Sequence, residues 1–266
     1  MGKPKVKRKS TLIDMTAMSD VTVLLLTFFM LTSTFLAKEP ATVITPSSVS
    51  EIKVPLSDLV TILVSGAEIK SNGDINRAVE GKVFIGITGD VDSTYKSENV
   101  RRDLIIEAAR LYNERHPDKK VSFTASQVSA FSKLGMFGMP MKDLPAFLDM
   151  PTTEQDKVMK EFNPNVVGIP INDNRDLNNL NEFQIWMDAM QRVAQNYRDN
   201  GRVKENGETA APNDKFYAAL KRTGEGIAVK ADKDTPYSTI HDVLDNLQTM
   251  KLNKFTLMTA LKSEND

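Results

Sequence analysis

Apolar and polar positions divide this chain into one long, nearly uninterrupted apolar run and a series of shorter, patterned ones. The long run covers residues 15–37, MTAMSDVTVLLLTFFMLTSTFLA, and holds a single charge, Asp20. At ~1.5 Å rise per residue a helix of this length reaches ~34 Å, enough to cross a hydrocarbon core of ~30 Å. The run therefore predicts a transmembrane helix. Asp20, Thr27 and Thr34 recur every seven residues and fall near one face. Val23, Leu24 and Leu31 flank that face. Leu25, Phe28, Phe29 and Phe35 occupy the other side, suited to lipid or to a partner's apolar wall.

The shorter runs alternate between strand and helix periods. Residues 38–50 (KEPATVITPSSVS) hold Pro40 and Pro46 among Ser and Thr and read as an extended linker. Residues 51–55 alternate and stop at Pro55, a short strand signal. Residues 59–64 (LVTILV) and 82–88 (KVFIGIT) are apolar and rich in β-branched side chains, with the turn signal Asn72-Gly73-Asp74 between them. They predict an antiparallel pair. Val100, Leu104, Ala108 and Leu111 give a helix over 97–116, with Ser97 as N-cap and Pro117 beyond its end. Residues 121–123 are a short extended piece. Further helices follow at 124–137, 142–150 and 152–162, and a strand at 165–171 (NVVGIPI).

Residues 183–197 form the most amphipathic helix of the chain. Phe183, Trp186, Met187, Met190, Val193, Ala194 and Tyr197 share a face. A polar loop over 200–212 and a short helix over 216–220 come next. Residues 226–232, 238–250 and 255–259 then read strand–helix–strand, with a connection of the length that suits a crossover between parallel strands.

Charge adds an orientation. Over 266 residues the net charge is −1, which points away from a nucleic-acid partner. Lys3, Lys5, Lys7, Arg8 and Lys9 crowd the first ten residues, whereas Lys38 and Glu39 cancel after the apolar run. The positive-inside rule keeps this N-terminus in the cytoplasm and exports the rest. A cleaved signal peptide also starts basic and turns apolar. Here the run is longer than a signal core, contains Asp20, and ends in Thr34-Phe35-Leu36-Ala37 without a small-x-small cleavage site. The chain has no cysteine, so disulfides and cysteine-based metal or redox chemistry are excluded.

Candidate chemistry concentrates on Asp20. A charge near the middle of a membrane helix costs roughly 2.5–3.5 kcal/mol on insertion scales and is kept where a partner helix or wet cavity compensates it. A proton carrier needs a carboxyl that is neutral when desolvated and charged when wetted. The plainer role is an acid at the positive end of a helix dipole. Thr27 and Thr34 line a proton path or partner face in the first case; in the second their hydroxyls only bond back to helix carbonyls. Asp14 reads as an N-cap. Elsewhere the signals are weak. Asp90-Val91-Asp92-Ser93-Thr94 begins like a calcium loop, but Tyr95 and Arg101 stand where its turn glycine and closing glutamate belong. Gly224-Glu225-Gly226 precedes a strand, not a helix, and His116 and His241 have no metal-ligand spacing. Met136, Phe137, Met139, Met141, Phe147 and Met150 read as core packing, or else as an adaptable partner surface.

The residues around Asp20 also carry a resemblance. Met18-Ser19-Asp20-Val21, then Leu24-Leu25-Leu26, then Phe28-Phe29-Met30-Leu31-Thr32 resembles the transmembrane signature of the ExbD/TolR family of biopolymer-transport proteins. Ala17 stands where that family usually has a proline. A second likeness lies near the other end: Ala231-Asp232, Tyr237, Val243-Leu244-Asp245-Asn246-Leu247 and Leu257-Met258-Thr259. Together the two cover about residues 12–65 and 224–260.

The resemblance implies an α+β protein: one N-terminal transmembrane helix, then a periplasmic mixed α/β domain, a small sheet with packed helices. Its parts are a cytoplasmic tail at 1–14, the helix at 15–37, a linker at 38–57 whose order changes with the state of the motor, and a domain at 58–266. A helical insertion at about 90–178 enlarges that domain beyond typical members, and its apolar face content reads as a folded lobe rather than a disordered one. The implied protein is no enzyme and holds no cofactor or metal; its coupling ion is the proton, carried by Asp20. It sits in the inner membrane as a homodimer of helices inside an ExbB-like ring and drives a TonB-like transducer. A TolR-like role in envelope integrity and a gliding- or secretion-motor role are close variants. Two readings from other classes stand beside it. One is a membrane-tethered periplasmic binding module. The other is an envelope enzyme, which requires a cleft of perturbed titratable groups in the exported domain.

Overall fold

The computed structural model describes residues 15–32, 43–45, 47–48, 57–66, 68–69, 74–76, 81–90, 92, 94–161, 167–223, 225–258 and 260–261. The chain divides into two compact units, Met1–Ala37 and Lys38–Asp266.

The first unit contains helix α1, Met15–Thr32. Its apolar side chains from Met18 to Met30 all face outward, Phe28, Phe29 and Met30 among them. Among the described residues no helix is long and apolar enough to cross a membrane. The 18 residues of α1 amount to ~27 Å at ~1.5 Å each, short of ~30 Å. Residues 33–37, which complete the apolar run, lie outside the described residues, as do the tail at 1–14 and the strand expected at 51–55.

The second unit is built on a five-stranded sheet. Its members in chain order are β2 (Val60–Val64), β5 (Val83–Ile87), β6 (Met136–Phe137), β7 (Ile227–Ala231) and β8 (Thr256–Met258), arranged β6-β5-β2-β7-β8. Strand β2 is apolar at nearly every position because the sheet covers it on both sides and layers cover both faces. It pairs antiparallel with β5, Val60 opposite Ile87, and parallel with β7, Val60 opposite Ile227. The expected 59–64/82–88 pair is thus present, and the strand–helix–strand unit gives the parallel β7–β8 pair. Two small pairs lie outside this sheet: β1 (Ser47–Ser48) runs parallel to β9 (Ala260–Leu261), and β3 (Glu68–Ile69) pairs antiparallel with β4 (Ile75–Asn76), bracketing the turn read at 72–74.

Helices α2 (Ser97–Arg115), α6 (Glu182–Asp199) and α8 (Tyr237–Thr249) contribute to the main core with Val60, Ile62, Val64, Ile85 and Val229. All seven residues assigned to the apolar face of α6 are buried. Each such side chain contributes roughly 1.5–3 kcal/mol on burial. Asn181 caps α6: its side chain accepts from Gln184 N, and Gln184 reaches back to Asn181 N, a reciprocal pair. Beyond the loop at 200–212, α7 (Lys215–Ala218) runs into a π-helical turn, Ala219–Thr223.

Several boundaries differ from expectation, each for a local reason. Lys96, not Ser97, is the N-cap of α2, and no side chain caps it. The helix expected over 124–137 ends early: α3 is Ala125–Lys133, capped by Thr124, and Met136–Phe137 turns out to form β6 on the edge of β5. Gly138 permits this turn of chain, since a Cβ there would lie 2.3 Å from the Phe84 ring. Helix α4 is short, Leu144–Leu148, and α5 is Thr152–Glu161. The described part of the strand expected at 165–171 is irregular; Gly168 takes φ +99° against Lys82, and Ile169 N donates to Val83 O. Residues 121–123 are extended outside any sheet, tied by Asn113, whose amide both donates to Val121 O and accepts from Val121 N. The segment 90–178 shares the main core with the rest of the domain through Leu104, Phe131, Phe137 and Met141.

Candidate functional site

On α1, Asp20 and Thr27 are two turns apart, ~10.5 Å along the axis and ~20° from eclipsed. Asp20 is exposed on the helix surface. Thr27 Oγ1 donates to Leu24 O at 2.9 Å, and Thr22 Oγ1 donates to Met18 O. The Thr27 proton is therefore engaged by its own helix, and the oxygen lone pairs stay available to accept. Thr34 lies outside the described residues. Leu25 and Phe29 lie across the helix from Asp20, and the Phe28 and Phe29 rings meet edge to face at 6.0 Å. Asp20 is the one charged side chain of α1, with Thr27 two turns along.

The domain holds a feature that sequence reasoning missed. The chain just before β1 is strapped to the far end of β7. Ile44 N donates to Asp232 Oδ2 at 2.6 Å, and Lys233 N donates to Ile44 O at 2.9 Å. Asp232 Oδ1 accepts from Asp234 N at 2.9 Å, which fixes the turn that presents the carboxylate. Asp232 is 8% exposed. Gly66 makes room for it: a Cβ on Gly66 would fall 2.5 Å from Asp232 Oδ1. Val43 packs against Leu63, Phe84 and Val167. Residues 38–50 read as a plain polar linker; the signal available was the apolar pair Val43-Ile44 within it.

Ionisable groups of the domain pair structurally. Tyr197 Oη donates to Asp103 Oδ2 at 2.6 Å, and Arg202 Nε donates to the same oxygen at 2.8 Å. Burial first, then the Asp103 carboxylate, pushes the Tyr197 phenol far above its usual range. Tyr95 Oη donates to Ala211 O at 2.5 Å, and its ring meets Tyr197 edge to face at 5.0 Å. These residues fasten the 200–212 loop to α2 and α6 beside a cavity of about 420 Å³. At the opposite end of β2, burial and then the Asp90 carboxylate raise Asp58 above the usual carboxyl range, while Lys215 Nζ pairs with Asp90 at 2.9 Å. None of these sets joins a nucleophile to a base. Among the described residues no group of three or more His, Asp or Glu is placed to hold a metal ion.

Comparison with known proteins adds a family. Residues 6–134 match the family model described as biopolymer transport protein ExbD/TolR. No curated relative and no solved structure matches the chain. The matched range takes in the Asp20 signature, α1, β2, β5, α2 and α3, and so includes residues 90–134 of the segment read as an insertion. It stops before β6, leaving Ala231-Asp232 and the β7–α8–β8 unit outside. Members of this family serve biopolymer transport rather than enzyme catalysis, typically anchored in the inner membrane and working with partners of the ExbB/TolQ and TonB/TolA types. Across residues 6–134 this chain is similar to the ExbD/TolR family of biopolymer transport proteins.

Proposed function

We propose that this chain is the proton-driven, ExbD-like subunit of an inner-membrane motor that energises TonB-dependent transport across an outer membrane. In this reading residues 15–37 cross the membrane once, with the N-terminus cytoplasmic. Two copies stand inside an ExbB-like ring, and Asp20 exchanges protons with it. Neutral Asp20 tolerates an apolar wall and ionised Asp20 does not, so each protonation changes which faces of α1 and ring can meet. Thr27 and Thr34 continue the polar face along the helix. The strap at 43–48 connects that motion to the periplasmic domain and to a TonB-like transducer.

The observation that carries this reading is the position of Asp20: one carboxyl on an apolar helix, inside the part of the chain that matches the family. Asp20→Asn keeps the size and polarity and removes the titration. The expected outcome is loss of energised uptake with co-purification of the ring intact. Thr27→Val is expected to slow uptake severalfold and spare assembly; unchanged uptake would leave that hydroxyl with only its bond to Leu24 O.

A further inference from the structure

The second face of the sheet is covered from two parts of the chain. Leu63 and Phe84 form a satellite apolar cluster with Val167, separate from the main core. Four partly buried side chains pack around it: Val43 from the strap, Met136 from β6, and Val158 and Met159 from α5. Three of the four belong to the segment 90–178, the part of the domain that the resemblance leaves without a role.

Helix α5 is lightly held. Of its side chains between Thr152 and Met159 only Gln155 is buried, its Nε2 donating to Met150 O at 2.9 Å. Val158 and Met159 are its apolar attachments, and they pack against both clusters. The strap is held by Val43, by the Asp232 carboxylate, by the Lys233 N–H on Ile44 O and by the β1–β9 pairing. Both elements pack against the same three-residue cluster.

We propose that α5 completes the seat of the strap, so that strap and α5 are bound to the sheet cooperatively and displacing one loosens the other. Asp232 is the polar half of this latch, and Val43 on Leu63 and Phe84 is the apolar half. The coupling of strap to α5 stands apart from the motor reading above.

Coupling between two elements is reciprocal: each must affect the other by the same factor. The test is amide hydrogen exchange on the full chain in detergent micelles, comparing Val43→Ser with Met159→Ser. Val43→Ser is expected to speed exchange about tenfold over 43–48 and, by a like factor, over 152–161, with β2 and β5 unchanged. Met159→Ser is expected to do the same in reverse. Loosening confined to the element that carries each substitution would overturn the proposal. Should Met159→Ser disturb β2 and β5 as well, Val43→Ser alone decides, since it leaves α5 and its core contacts untouched. Coupled exchange together with normal uptake in Asp20→Asn would sink the motor reading and leave the latch standing.

Discussion

At the scale of single residues, the informative positions are those where burial and polarity conflict. Glu182, the first residue of α6, is half-way into the domain and accepts from Met141 N at 2.7 Å. Burial raises its carboxyl above the usual range, more than the Met141 N–H lowers it. A carboxyl raised in the folded state gives stability that is full below the unfolded value and is lost as pH rises through the folded one. Glu182→Gln keeps an acceptor for Met141 N–H and removes the titration. Denaturant midpoints should therefore show the variant gaining on the parent chain as pH is raised from about 4 to about 7. A parent chain that gains on the variant over that range contradicts the assignment. Asp232 is a buried side chain that accepts from two backbone donors, Ile44 N and Asp234 N. Asp232→Ala leaves Ile44 N without its acceptor, and bonds to charged groups contribute about 1.5–3 kcal/mol. The loss should appear as faster exchange at Ile44 with the core strands unchanged. Gly66→Ala should produce the same local effect, because its new methyl displaces the Asp232 carboxylate.

At the scale of elements, the sequence was most readable where one segment carried its own pattern. Strands β2 and β5 are unbroken β-branched runs, α6 shows its buried face every three or four residues, and β7–α8–β8 is punctuated by turns at both ends. The Thr124/Gln127 capping box is local too. Thr124→Ala should cost about 1 kcal/mol of stability by losing the cap of α3. What stayed hidden depends on residues far apart. Met136 and Phe137 continue a helical pattern, yet become a strand because β5 offers an unpaired edge beside Gly86 and Gly138. Val43 and Ile44 look like linker until Asp232, nearly two hundred residues on, supplies a partner.

The same holds for Asn246, fully buried on α8. It donates to Asn172 O at 2.8 Å and accepts from Asn181 Nδ2 at 2.9 Å, tying α8 to the cap of α6. Asn246→Leu preserves volume and strands those partners, at an expected cost of about 1–3 kcal/mol in thermal or denaturant unfolding. A neutral outcome would mean that water replaces the amide.

At the scale of the whole molecule, two units have different duties. Helix α1 carries one titratable group, Asp20; the domain carries a main core, a smaller apolar cluster, a five-stranded sheet and a strap before β1. Of the proposed motor site, Asp20 and its polar face were legible in the sequence because a charge inside an apolar run has few uses. The attachment at Asp232 was not, because nothing local marks it. The segment 90–178 is woven into the domain through β6 and the shared core, so excising it removes a strand from the sheet along with α2 to α5. Point substitutions on α5 are the way to probe it.

The most direct test of the account is energised substrate uptake in cells whose only copy of this chain carries Asp20→Asn, with recovery of the multi-span membrane partner measured in the same cells. The account predicts abolished uptake and undiminished recovery of the partner, which would make Asp20 the proton-carrying group of an assembled motor. Uptake at the parent level, with the substituted chain present and assembled, would contradict it and reduce α1 to an anchor for the domain.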